Sequence, residues 1–265
     1  MKRRNQDANE MSLTGHLKEL RKVLLVSAYA IAAGTVAGWI LSPYVYQFLA
    51  APAVKLQMVT FITLAPMEPI LVKLKMALVI GFFVALPVIF WQLWSFILPA
   101  LKQTEKRYVY TVAPWSIVLF IAGAAFCYYV VLPIGLRFFL SSFQGVQAEN
   151  NYSIAAYLSF VLTFLVGFGF IFQLPVVLLQ LIKFGFLSPY TLAKYRKYAF
   201  FGIVVAAVLI SPTPDLWTQF LMIGPMYILY EVSIRLGQRL IKEKEKREAK
   251  KAKASDAPKK GGACE

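Results

Sequence analysis

The chain has 265 residues, 59% of them hydrophobic and 15% charged, with a net charge of +15 and a mean hydropathy of +0.62. That composition leaves too little polar surface for a water-soluble globule of this size, so the surrounding medium is lipid. One histidine, two cysteines and the lack of a P-loop, HExxH or GxSxG motif give no basis for a metal site, a cofactor or an enzyme, and the basic charge reports topology rather than nucleic acid.

Residues 1–14 read as a leader, 15–236 as one membrane domain and 237–265 as a basic, largely disordered tail. The first apolar run begins only after a long basic and polar stretch and has no small-residue cleavage site behind it, which predicts a span rather than a cleaved signal peptide. That span covers 23–41, with Gly34 and Gly38 spaced to let another helix approach closely. Residues 42–69, interrupted by Pro43, Pro52, Pro66 and Pro69, read as a loop whose apolar patches at 44–51 and 59–64 form short interfacial helices. The second span, 76–98, is kinked by Pro87 and carries Trp91 and Trp94 as interface anchors.

The third span, 108–132, holds Pro114 and Cys127 and stops before Pro133. Cys127 and Cys264, the latter in the tail, read as free thiols. The fourth, 154–182, is long enough to tilt and places Gln173 beside Pro175 in mid-membrane. The last two, 198–211 and 216–230, hold 14 and 15 residues, against the roughly 20 that cross a typical hydrocarbon core. Only Pro212, Thr213, Pro214 and Asp215 separate them, so they form a tight hairpin that either thins the bilayer locally or sits tilted among its neighbours; the thinned arrangement offers a docking edge, near Leu209 and Met222, to a partner's single helix. Beyond Arg235 the chain turns to Lys, Glu and Ala, a solvated helix fading into disorder that suits contact with anionic lipid.

Lys and Arg fall almost entirely in alternate connectors. Six lie in residues 1–22, three in 99–107, four in 183–197 and eleven after Tyr230, whereas the opposite connectors hold only Lys55 and Arg137. The positive-inside bias therefore predicts an all-α polytopic membrane protein with six transmembrane helices and both termini in the cytoplasm. Two acids, Glu19 and Glu105, stand among the bases of that face. Singly each reads as a surface ion pair worth about 0–1 kcal/mol. As a pair they are also placed to accept bidentate guanidinium forks.

Leu17-x-Glu19-Leu20-Arg21-Lys22 precedes the first span. Pro87-x-x-x-Trp91-Gln92-x-Trp94-x-Phe96-x-x-Pro99-Ala100-Leu101 leads to Glu105-Lys106-Arg107, and Ser211-Pro212-Thr213-Pro214-Asp215 is followed by Gln219. These motifs, in this order across residues 12–235, resemble the TatC family, the integral membrane subunit of the twin-arginine protein translocase. The resemblance implies a glove-shaped six-helix bundle in the bacterial cytoplasmic (inner) membrane. It implies a core receptor that binds twin-arginine signal peptides of folded cargo, associates with further copies of itself and with TatA and TatB type single-span partners, and works on the proton motive force.

Carried over by position, the resemblance implies that Glu19 and Glu105 contact the signal peptide, with Arg21, Lys22, Gln92, Phe96 and Leu101 around them. It implies partner-binding or transport roles for Pro52, Gln173, Asp215 and Gln219. The i, i+4 spacing of Asp215 and Gln219 puts them on one helix face. Glu68 and Lys75 also fit the pattern and read as an interface-level ion pair with a snorkelling lysine. Gln173 stands where many relatives carry glutamate and cannot titrate, so it is expected to hydrogen-bond towards the concave side of the bundle, either as interhelical glue or in partner binding. The competing reading, a small-solute secondary transporter, expects symmetry-related halves and a mid-membrane cluster of ionisable residues, and the sequence has neither.

Overall fold

A backbone that crosses lipid has to satisfy its own hydrogen bonds, and the long apolar runs do so as α-helices. The computed structural model describes residues 2–55, 60–97, 106–142, 151–211 and 215–255. In chain order these form α1 (Lys2–Lys55), β1 (Thr60–Ile62), α2 (Glu68–Ile97) and α3 (Lys106–Phe126), which passes through a π-helical segment, Cys127–Val131, into α4 (Leu132–Ser142). There follow β2 (Asn151–Ser153), α5 (Ile154–Ile171), α6 (Leu174–Lys183), α7 (Pro189–Lys194), α8 (Arg196–Ile210) and α9 (Leu216–Ser255). Among the described residues, five helical stretches are long and apolar enough to cross a membrane: 17–54, 68–96, 112–139, 154–183 and 216–243. The protein is thus an all-helical polytopic membrane protein. With 15 residues, α8 reaches only about 22 Å at 1.5 Å per residue.

Several boundaries differ from those the sequence suggests, and proline is the common reason. Helix α1 does not end at residue 41 but continues through Pro43 and Pro52 to Lys55. A proline removes one ladder bond, which would ordinarily break the helix. Here hydroxyls take over the freed carbonyls: Ser42 Oγ donates to the Trp39 oxygen at 2.8 Å, and the Tyr128 hydroxyl donates to the Phe48 oxygen at 2.6 Å. Of the apolar patch at 59–64, residues 60–62 form strand rather than helix. Strand β1 pairs in parallel with β2, Phe61 opposite Tyr152.

The third span likewise runs past Pro133, because the π segment just upstream absorbs the misfit of the ring with the preceding turn. The fourth breaks at Phe172 and Gln173, where Pro175 near the start of α6 has no amide to offer the end of α5. The last apolar run, 216–230, is the first part of a longer helix that continues to Ser255, in keeping with the solvated helix expected beyond Arg235, since Lys, Glu and Ala sustain a helix well past the apolar part.

The Gly34–Gly38 spacing does what its small residues allow. Helix α2 crosses α1 so closely that a Cβ at Gly34 would lie 2.6 Å from the Gly81 carbonyl oxygen, and Gly38 meets Ala77 in the same antiparallel register. One apolar cluster fills the seam between α2 and α3. Phe120 is fully buried there, with the rings of Phe82, Phe83, Phe90 and Phe170 set edge-on around it at 5.4 to 6.0 Å. A second cluster joins α5 to the π segment and α9 through Phe164, Phe168, Met222 and Ile234.

Candidate functional site

The α1–α2 register sets the level of the predicted recognition residues. Gly34 faces Gly81 and Gly38 faces Ala77. Since both helices rise by the same step per residue, the register continued towards the α1 N-terminus brings Glu19 level with Phe96 and Val23 level with Gln92. Glu19, Arg21 and Lys22 are exposed, and Gln92 and Phe96 are half-buried on the facing end of α2. Leu101 and Glu105 lie outside the described residues.

Trp91 is 55% exposed, as an interface anchor would be, but Trp94 is 6% exposed. Its indole Nε1 donates to Ser116 Oγ at 3.1 Å, and that hydroxyl donates to the Val112 carbonyl at 3.1 Å. Trp94 is therefore a core residue of the α2–α3 seam, because a hydroxyl one helix away satisfies its only polar atom. The same stretch of α3 receives Gln173, whose Nε2 donates to the Ser116 carbonyl at 2.8 Å. Only the amide nitrogen can face a carbonyl oxygen, so the side chain works here as a donor. A chain of polar contacts thus runs from α2 through Ser116 to the break between α5 and α6. Ser116, fully buried and unremarkable in the sequence, is its centre.

At the opposite end of the bundle Glu68 does not pair with Lys75. Its carboxylate accepts from the backbone amides of Leu64 at 2.6 Å, Ala65 at 3.4 Å and Ala155 at 3.0 Å, and from the Ser153 hydroxyl. Lys75 Nζ instead donates to Ser159 Oγ on α5 at 2.9 Å. Seven residues separate the two along α2, about 10 Å of rise, and each reaches a nearer partner. Glu68 clips the start of α2 to the start of α5, beside a cavity of about 360 Å³ that Ser42, Tyr46, Val72, Lys73 and Met76 help to line. Pro52 sits half-buried on the same end of α1.

The hairpin residues also differ from expectation. Helix α9 starts at Leu216, so Asp215 is its N-cap rather than a residue within it: its Oδ2 accepts from the Thr218 amide at 2.7 Å and its carbonyl accepts the first helical bond, from the Gln219 amide, at 3.3 Å. Asp215→Ala is therefore expected to lower stability by about 1 kcal/mol while Asp215→Asn, an equally good cap, leaves it nearly unchanged. Thermal unfolding in detergent reads the difference, and equal melting temperatures for the two variants would remove the cap from the account. Met222 is fully buried, unlike Leu209, which is 80% exposed on α8, so only the latter can lie on a docking edge. One ion pair was not legible beforehand: Arg196 Nη2 meets Glu231 Oε1 at 2.7 Å, with Arg235 Nε at 3.5 Å, tying α8 to α9. An acid just beyond an apolar run, within reach of two arginines, is the signal that points to it.

The sequence matches the family described as "Sec-independent protein translocase protein (TatC)" over residues 15–225. Proteins of that name from Carboxydothermus hydrogenoformans and Aquifex aeolicus are 39% identical over 236 residues and 41% identical over 244 residues. The first alignment covers 89% of this chain and 96% of the relative, the second 91% and 100%. The fold superposes on a solved structure described as "Crystal Structure of Twin Arginine Translocase Receptor- TatC" with a TM-score of 0.77 and 42% identity, covering 84% of this chain and 98% of that one. Matching in sequence along nearly its whole membrane part and in the arrangement of its helices, the chain belongs to the TatC family of Sec-independent protein translocase proteins.

Proposed function

We propose that the chain acts as the core receptor of a twin-arginine translocase by gripping the paired arginines of a signal peptide between Glu19 and Glu105 on the cytoplasmic face. Its family makes it a non-enzymatic member of the Tat translocase complex. The observation that carries the binding reading is the antiparallel α1–α2 hairpin, whose Gly34–Gly81 contact sets Glu19 at the level of Phe96. One acid on α1 then lies beside the end of α2 that leads towards the other. Two planar guanidinium groups each fit a carboxylate fork, a geometry an ammonium cannot copy. Arg21, Lys22, Gln92, Phe96 and Leu101 form the surroundings.

In this reading both termini are cytoplasmic, α8 makes the fifth of six crossings of the inner membrane and the start of α9 the sixth, and the bundle has the glove shape of its family. TatA and TatB type single-span partners dock along α8, where Phe201, Val205 and Leu209 form one exposed apolar stripe. Pro52, Gln173, Asp215 and Gln219 serve partner binding or transport. The test is binding of a fluorescent signal peptide to the purified protein in nanodiscs. The twin-arginine peptide binds, and its twin-lysine counterpart binds at least about tenfold more weakly, the scale of one weakened charged hydrogen bond. Equal affinities would overturn the reading.

A further inference from the structure

The end of α1 beyond residue 41 carries two prolines, and both missing donors are accounted for. A helical carbonyl accepts from the amide four residues on, so Pro43 strands the Trp39 oxygen and Pro52 strands the Phe48 oxygen. The first is repaired within the helix, by Ser42. The second is repaired from elsewhere in the fold. The Tyr128 hydroxyl, carried by the π segment, donates to the Phe48 oxygen at 2.6 Å, and the two rings stack at 4.3 Å with 13° between their planes. One residue further, the Tyr157 hydroxyl of α5 donates to the Leu49 oxygen at 2.8 Å. Leu49 differs from Phe48 in one respect: the residue four ahead of it is Ala53, which has an amide to give. Both tyrosines are buried, as are Leu49 and Ala53, whereas Phe48 is 51% exposed, so the Tyr157 bond lies wholly inside the fold and the Tyr128 bond is half shielded by the stacked rings.

We propose that Pro52 serves transport through Tyr128. By withholding a backbone donor it reserves the Phe48 carbonyl for the tyrosine, and this tether holds the end of α1 against the π segment in the placement that export requires. Tyr128 is thus a positioning residue, and Tyr157 an auxiliary one whose bond does not depend on the proline. The proposal rests on the assignment of Pro52 to the transport machinery.

The experiment measures export of a folded twin-arginine reporter from cells and melting temperature of the purified protein for Tyr128→Phe, Tyr157→Phe, Pro52→Ala and the combinations of Pro52→Ala with each. Tyr128→Phe takes from the half-shielded Phe48 carbonyl its one side-chain donor, and its melting temperature should fall by about 5 °C. Adding Pro52→Ala supplies the missing amide and restores most of that drop, but it does nothing for Tyr157→Phe. Export should fall by about tenfold in Tyr128→Phe, and it stays low in the Pro52→Ala, Tyr128→Phe double variant although its stability has returned. Normal export by Pro52→Ala alone would remove Pro52 from the transport machinery and the proposal with it. Defective export by Pro52→Ala, with no recovery of the Tyr128→Phe melting temperature in the double variant, would leave Pro52 assigned to transport and overturn its link to Tyr128. Recovery of both export and stability in the double variant would reduce the bond to a folding role and overturn the positioning one.

Discussion

Removing both acids in a Glu19→Ala, Glu105→Ala variant is expected to abolish measurable binding of a twin-arginine peptide while leaving the fold intact. Glu19 is exposed on α1, where an ion pair is worth about 0–1 kcal/mol, so its loss costs the unliganded protein little. In the complex the balance reverses, because the peptide's guanidinium groups are drawn from water and depend on the carboxylates. Truncating one partner of such a pair costs about 2–5 kcal/mol, or roughly thirtyfold to several thousandfold in affinity. Titration of labelled peptide against nanodisc-embedded protein reads the affinity, and the melting temperature of the same samples reads the fold. Retained affinity with an unchanged melting temperature would place the arginine site elsewhere. Binding by the wild type should also weaken with added salt, since Glu19 in the free site is exposed and its attraction for the arginines acts through solvent before they dock.

Trp94→Ala is expected to be among the most destabilising single changes in the membrane part. The side chain is 6% exposed in the cluster with Leu86, Phe90, Ala113 and Phe120, and truncating a buried aromatic costs about 3–5 kcal/mol. Trp94→Phe keeps most of the volume and loses only the bond to Ser116, so it should cost about 1 kcal/mol. Gln173→Leu tests the other arm of the contact chain, where membrane interhelical bonds average about 0.6 kcal/mol with a maximum near 1.7. Gln173→Glu distinguishes a donor from an acceptor: only the protonated acid can replace the amide, whereas a carboxylate would face the Ser116 carbonyl acceptor to acceptor. Thermal melts in one detergent order the four variants, and a Trp94→Ala loss no larger than that of Trp94→Phe would contradict the packing described.

Much of the helix content was legible because it follows from lipid: a long apolar run has no other way to satisfy its backbone. The Gly34–Gly38 pair announced a close helix contact, although not which helix would fill it. The prolines misled, and for one reason. Whether a proline ends a helix depends on whether another group takes the stranded carbonyl, and for Phe48 that group lies 80 residues further along the chain. Trp91 and Trp94 look alike in sequence, three residues apart near the end of an apolar run. They part because Ser116 on α3 offers one of them an acceptor. Glu68 and Lys75 suggest each other by charge, but the carboxylate finds four donors at the starts of α2 and α5 that no pattern of charges reveals. Asp215 was identified as important by position and turns out to be an N-cap, a role that Asp followed by an apolar run signals directly.

The most direct test of the receptor assignment is to place a photoreactive residue beside the paired arginines of a signal peptide and to map where it joins the protein by mass spectrometry. Adducts should fall on α1 around Glu19 and on the stretch from Phe96 to Glu105, and they should disappear when the arginines are replaced by lysines. Adducts confined to α8 and α9, or to the end of α1 beyond residue 41, would contradict the account.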